Sequence, residues 1–181
     1  MNGLYARILA AALPTIGAAL LLAAEGPTFK LRDGCQPATF NLPPPNGAGP
    51  GTCRTDFNGQ VSFEKFVDQL TAHQNAPEWR STPINTDIAA GTQVLLDNEG
   101  GETHTFTRVQ NFGGGFVPIL NRLSGNLVPA PECFAQSVGA TFVPSGVEGK
   151  PGPTLLESDR GKTVKFQCCI HPWMRSEIMV R

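Results

Sequence analysis

The sequence predicts a loop-rich, all-β protein with one short helix, and three observations lead to this prediction. The chain of 181 residues contains 20 glycines and 16 prolines, which favour turns and interrupt helices. Apolar residues make up 40% of the chain and are grouped in strand-sized runs, which argues against disorder. Only one segment has the periodicity of an amphipathic helix. The length suits one ordinary domain with extensions.

Residues 1–24 have the pattern of a secretory signal. Arg7 precedes an uncharged apolar run that ends at Ala24, immediately before Glu25. A retained membrane anchor is the alternative, but a spanning helix needs about 20 apolar residues, and Pro14 interrupts this run. We therefore expect an exported protein, periplasmic or secreted, whose mature chain does not span the membrane.

Export changes the meaning of the five cysteines, because oxidising compartments permit disulfides. An odd number predicts two bridges and one remaining thiol. Cys35 and Cys53 bracket a stretch rich in proline and glycine, which has little apolar content of its own and would be stabilised by a closing bridge.

The single helix is predicted over residues 62–73. Ser62 is a suitable N-cap for it. Its apolar stripe is expected to dock on a sheet and has the helical spacing i, i+3, i+4, i+7 in Phe63, Phe66, Val67 and Leu70.

The rest of the chain is strand-like, with one long irregular segment. Residues 81–109 alternate β-forming residues with turn signals, and "GKTVKFQCC" has the pattern of a further strand. Between them, at about residues 110–153, three consecutive glycines and several prolines show no period. We therefore divide the mature chain into a Cys-bridged extension that carries the helix, residues 25–75, and a β-domain with a long insertion, residues 76–181.

The net charge of −1 at pH 7 gives no basic surface for nucleic acid. The sequence also lacks a phosphate-cradling loop, a nucleophile elbow and a paired-carboxylate signature. These features exclude several common classes of enzyme and of binding protein, and they direct attention to the metal-affine side chains.

Metal-affine side chains are concentrated in "FQCCIHPWM", residues 166–174. Alternation along the strand that enters this stretch turns Cys168 towards the apolar face and Cys169 away from it. The same alternation in "ETHTFT" turns His104 inward. Together with His171 and Met174, these residues provide two imidazoles, one thiolate and one thioether. That is the ligand set of a mononuclear type 1 copper site.

Other interpretations of these residues remain open. His104 and His171 could be ordinary buried polar side chains, as His73 at the end of the helix is expected to be an ordinary surface residue. A zinc site that uses both histidines together with Cys168 and Cys169 is conceivable. Copper is favoured, because the two cysteines point to opposite faces of the strand. The other nearby methionine, Met179, is expected in the core of the last strand.

"FQCCIHPWM" resembles the C-terminal copper loop of the cupredoxins, in the short Cys-x-x-His-Pro-x-Met form of amicyanin-like and plastocyanin-like proteins. "HTF" after "DNEGGE" resembles their upstream histidine strand. The resemblance covers about Trp79 to Arg181. It implies a Greek-key β-sandwich, one type 1 copper ion and one-electron transfer. The ligands that it implies are His104, Cys168, His171 and Met174.

With Cys168 assigned to copper, Cys169 is expected to pair with Cys133 in the insertion, and Cys35 with Cys53. A free Cys169 thiol, or a swap in which Cys169 binds the metal, are the alternatives, because pairing cannot be deduced from sequence alone.

Three functions compete: an electron carrier, a cupredoxin-like copper enzyme that binds a small molecule at the copper, and a copper-handling or structural domain without a redox role. The carrier is favoured, because Met174 supplies a fourth ligand and leaves no obvious vacancy. The resemblance also implies an apolar patch around the C-terminal histidine, so a redox partner protein is expected to dock near His171 and Trp173. Asn98 and Glu102 are expected to be ordinary turn residues, although either could orient His104 through its second nitrogen.

Overall fold

The structure is a computed structural model that describes residues 26–181, so the predicted signal segment lies outside the described part of the chain. It is mostly β-structure with few helices, as predicted. The strands are β1 (Thr28–Arg32), β2 (Arg80–Thr82), β3 (Asn85–Ile88), β4 (Gln93–Asn98), β5 (His104–Thr105), β6 (Thr107–Val109), β7 (Phe142–Val143), β8 (Lys150–Thr154), β9 (Thr163–Gln167) and β10 (Arg175–Val180). The helices are α1 (Pro37–Phe40), α2 (Phe63–His73) and α3 (Pro118–Leu123), with 3-10 turns at Pro131–Phe134, Gln136–Thr141 and Glu157–Asp159. Within residues 26–181, none of the helices has the length and apolar character that a membrane crossing requires.

Two four-stranded mixed sheets form the sandwich. The first has the order β2-β1-β4-β8 and the second the order β3-β10-β9-β6. Each contains one parallel pair, β1 with β4 and β10 with β3, while the other pairs are antiparallel. The short ladder β5-β7 lies outside both sheets. The N-terminal stretch therefore contributes an internal strand of the sandwich, β1, as well as the bridge and helix that the sequence predicted there.

The core lies between the two sheets and follows the period-two alternation of the strands. In β9, Val164 and Phe166 are buried, and the ring of Phe166 stacks on Phe106 with centroids 4.6 Å apart. In β10, Ile178 and Val180 are fully buried. The same alternation leaves Met179 only half-buried, so its prediction as a core residue is wrong.

Helix α2 packs over one end of the sandwich. Ser62 caps it, with its hydroxyl accepting a hydrogen bond from the Lys65 amide at 3.2 Å, as predicted. Phe66 and Leu70 are the buried residues of its stripe, and the ring of Phe66 lies 4.5 Å from that of Trp79.

The structure contains the two expected disulfides, Cys35–Cys53 and Cys133–Cys169. The first closes the proline- and glycine-rich loop of the extension. The second ties the insertion to the segment that follows β9. Cys168 is the free thiol and is buried. The adjacent cysteines therefore lie in different environments: Cys168 in the main core and Cys169 in a small apolar cluster with Cys133.

The insertion passes close to the backbone of Cys169 at the three consecutive glycines. The amide of Phe116 donates to the Cys169 carbonyl at 2.7 Å, and the side chain of Gln167 exchanges two hydrogen bonds with the backbone of Gly113. A Cβ atom on Gly115 would lie 1.8 Å from the Cys169 carbonyl oxygen. Position 115 requires glycine, because the backbone of the insertion lies against the backbone of Cys169 and leaves no space for a side chain.

We expect Gly115→Ala to lower the free energy of unfolding by about 1–3 kcal/mol, because the added methyl group forces the insertion away from the segment that follows β9. Urea denaturation measures the change. Gly139→Ala in the same insertion is the matched control, since a Cβ atom there meets nothing within 4 Å. Equal stability of the two variants would contradict the close approach.

Candidate metal centre

A short hydrogen-bonded loop joins β9 to β10 and carries three of the predicted ligands. The Cys168 amide donates to the Met174 carbonyl at 3.0 Å, and the Met174 amide donates to the His171 carbonyl at 2.9 Å. The two strands that flank the loop are paired with each other, and Gln167 of β9 lies opposite Arg175 of β10 where the loop begins and ends. The loop is therefore closed on itself and is held at both ends by a ladder of the second sheet.

His104 comes from β5, which pairs with β7. Two contacts join β5 to the loop: the Thr105 amide donates to the Cys168 sulfur at 3.4 Å, and the Cys169 amide donates to the Thr105 hydroxyl at 2.7 Å. Both contacts use residues next to the candidate ligands. They bring His104 to Cys168 although 64 positions separate the two residues in sequence.

The donor atoms of His104, Cys168 and His171 converge. Each imidazole Nδ1 lies 3.9 Å from the Cys168 sulfur, and the three donor atoms all lie within 4.8 Å of one another. Bond lengths of about 2.3 Å to sulfur and about 2.0 Å to nitrogen, which are the values for zinc, put the sulfur roughly 3.5–3.7 Å from each nitrogen around a shared ion. The donor set therefore fits a metal ion with little rearrangement.

The surroundings of Cys168 favour its deprotonated form. Burial alone would raise the pKa of this thiol, but hydrogen bonds and charge attraction from His104 and His171 outweigh burial and hold the pKa well below its usual range. The thiolate also accepts a hydrogen bond from the His171 amide at 3.4 Å. The deprotonated form is the one that binds metal.

Asp33, directly after β1, makes a hydrogen bond with Nε2 of His104. The sequence analysis did not predict this residue. Its side chain is fully buried, and one carboxylate oxygen lies 2.9 Å from His104 Nε2. The backbone amides of Cys35, Gly101 and Glu102 also donate to this carboxylate. Burial would lower the pKa of His104, but its contacts with Asp33 and Cys168 prevail and raise that pKa to about 10. With Nε2 held by Asp33, Nδ1 faces the thiolate.

Glu102 is not an ordinary turn residue: it lies beside His171, and not beside His104 as the alternative had it. Its Oε2 is 3.4 Å from His171 Nε2 and accepts a hydrogen bond from the indole N–H of Trp79. Burial raises the pKa of this carboxyl group above its usual range. Among the hydrogen bonds of residues 26–181, Asn98 makes none to either imidazole. Its side-chain amide donates to the Glu102 and Val143 carbonyls, which fixes the turn before β5.

His171 is only 2% exposed, because aromatic side chains cover it. Trp173 lies 5.4 Å from it between ring centroids, and Trp79 and Phe66 lie 6.3 and 6.5 Å away. The resemblance implied an apolar patch at the protein surface, whereas the aromatic side chains observed around His171 enclose it. In this protein they form a cover, to which helix α2 contributes Phe66.

Met174 is 1% exposed and is tied through its backbone to both Cys168 and His171. All four predicted ligands thus belong to one buried region. Cys169 is in a disulfide, which removes it from any metal site and excludes both the zinc set containing two cysteines and the swap of the cysteine roles.

Comparisons with known proteins find similarity only to solved structures. No family model and no curated protein matches the chain. A purple cupredoxin from Nitrosopumilus maritimus is 16% identical, over 61% of this chain and 93% of that chain, with a TM-score of 0.36. An amicyanin variant in the Cu(I) state (13% identity, 56% and 73% coverage) and auracyanin B (15% identity, 56% and 80% coverage) both have TM-scores of 0.31. At such values the similarity carries no argument about function, which has to come from the site.

Proposed function

We propose that this protein is an exported, cupredoxin-like type 1 copper protein that carries single electrons between redox partners. One observation carries the proposal: the buried, free thiol of Cys168 lies 3.9 Å from the Nδ1 atom of His104 and 3.9 Å from the Nδ1 atom of His171. Two imidazoles and one thiolate, with Met174 as a weak axial ligand, suit copper in both oxidation states.

The residues around the ligands favour electron transfer because they limit movement. Asp33 holds one imidazole and Glu102 lies against the other, while two backbone amides donate to the thiolate. Copper bound by His104, Cys168, His171 and Met174 would supply a Cu(II)/Cu(I) couple. Ligands held from outside in this way change position little when the charge of the ion changes.

Burial of the site favours a carrier over a catalyst. The side chains of His104, Cys168, His171 and Met174 are 0–2% exposed. An enzyme that binds a small molecule at the metal needs an open coordination position, whereas an electron can cross a layer of side chains.

We propose that the redox partner docks over Trp173. This residue is half-buried, in contact with His171, and its indole N–H donates to the Ala76 carbonyl at 3.3 Å. It therefore connects the buried histidine with the surface.

Copper titration tests the proposal. Cu(II) added to the metal-free protein is expected to give an intense visible thiolate-to-copper band, the electron-paramagnetic-resonance spectrum of a single type 1 ion, and reversible one-electron voltammetry. A colourless complex with copper would contradict the proposal.

Replacing Met174 by glutamine is expected to keep the copper and lower its reduction potential. The soft thioether favours Cu(I), and a harder amide oxygen favours Cu(II). Protein-film voltammetry measures the shift. Met179→Gln, which changes the half-buried methionine of β10, is the matched control and should leave the potential unchanged. An unchanged potential in Met174→Gln would remove Met174 from the ligand set.

A further inference from the structure

An apolar cavity of about 600 Å³ lies next to the metal centre, between the N-terminal extension and the insertion. One wall comes from α2, through Phe63, Phe66 and Val67, and the facing wall comes from α3, through Leu120 and Leu123. The volume falls in the range of roughly 300–1,000 Å³ that is typical of small-molecule sites. Neither wall is part of the two sheets, and the loop between β9 and β10 adds Ile170 and His171 to the lining.

Glu102 places one polar group in this apolar wall. The residue is 5% exposed, and its Oε2 is occupied by Trp79 and His171. The hydrogen bonds among the described residues leave Oε1 without a donor. Oε1 is not fully enclosed, and Glu102 lines the cavity, so a ligand that brings one O–H donor can reach this oxygen.

We propose that this cavity binds an uncharged phenol, with its ring between the apolar walls and its hydroxyl donating to Glu102 Oε1. The aromatic rings of Phe40, Phe63 and Phe66 line the cavity and favour an aromatic ligand. One acceptor matches one O–H donor. An ammonium ion brings three donors and would leave two of them unpaired among apolar side chains.

The binding is non-covalent and does not require copper, so it stands or falls independently of the electron-transfer function. It nevertheless reaches the metal centre. The acceptor carboxylate lies 3.4 Å from His171 Nε2, and both residues belong to the cavity wall. Occupancy is therefore expected to shift the visible spectrum of the copper-loaded protein as well.

Calorimetric titration with α-naphthol and its methyl ether tests the proposal on the metal-free and the copper-loaded protein. The ether keeps the ring and the oxygen but has no donor. We expect one molecule of naphthol bound per chain, and binding of the ether weaker by on the order of tenfold or more. Equal affinity for the two compounds, or no binding of naphthol, would overturn the proposal.

Two cavity-filling variants locate the site. Val67→Trp and Leu120→Trp should each weaken naphthol binding at least about tenfold by occupying the space. Both leave the metal ligands and Glu102 unchanged. Leu127→Trp is the matched control, because Leu127 is 71% exposed and lies outside the cavity. Naphthol binding that is unaffected in a folded cavity variant would show that the ligand sits elsewhere. Since the ether comparison uses the unmodified protein, the proposal remains testable even if a variant fails to fold.

Discussion

Cys168→Ser is expected to abolish the visible thiolate-to-copper band completely. A serine hydroxyl is far less acidic than this thiol and offers copper no soft anionic donor. The two imidazoles remain in place, so weak colourless copper binding can persist. Absorption and electron-paramagnetic-resonance spectra of the variant with one equivalent of Cu(II) measure the loss.

The neighbouring cysteine provides the matched control. The double variant Cys133→Ser with Cys169→Ser removes the disulfide and is expected to keep the band, because neither residue is a ligand. It should instead lose stability, by about 4 kcal/mol for a bridge between residues 36 positions apart. Urea denaturation of the metal-free protein measures this loss. A coloured Cys168→Ser variant, or a colourless double variant, would contradict the assignment of Cys168 to copper and of Cys169 to the disulfide.

Asp33→Ala is expected to damage both stability and metal binding. The carboxylate is fully buried and accepts from His104 Nε2 and from three backbone amides. Its removal leaves four donors without a partner in the core. We expect a loss of about 3–5 kcal/mol in the free energy of unfolding. His104 also loses the contact that fixes its ring, so copper affinity should fall by about 10- to 100-fold.

Two further variants separate the effect on His104 from a general loss of charge. Asp56→Ala removes a carboxylate that is 76% exposed and should change neither quantity. Gly100→Ala keeps Asp33 but places a Cβ atom 2.0 Å from its Oδ2, so it should reproduce part of the loss in affinity by displacing the carboxylate. Competition titration against a copper chelator measures all three variants. An unchanged affinity in Asp33→Ala would show that His104 does not depend on Asp33.

Local patterns in the sequence were sufficient for much of the site. Alternation along β9 placed Val164 and Phe166 in the core and separated Cys168 from Cys169, because side-chain direction in a strand follows from position alone. Ser62 and the apolar stripe after it located α2 for the same reason, since caps and helical periodicity are local signals.

The contacts that the sequence did not reveal are long-range. Asp33 lies 71 positions before His104, and the parallel pairing of β1 with β4 sets Asp33 beside the turn that leads to His104. Alternation tells which face a residue takes but not which strand becomes its neighbour. The available signal was "TFKLRD", an alternating run that ends in a carboxylate. The role of Glu102 was hidden similarly, because its partner His171 comes from the other end of the domain.

The positions of the two disulfides imply an order of maturation. One bridge begins two residues after Asp33, and the other ends on the residue next to Cys168. Each bridge therefore restrains a segment that positions residues of the candidate metal centre. Before oxidation, a metal ion would meet five thiols instead of one. Under the proposed function, we therefore expect oxidative folding to precede metal binding, the order that an oxidising compartment permits.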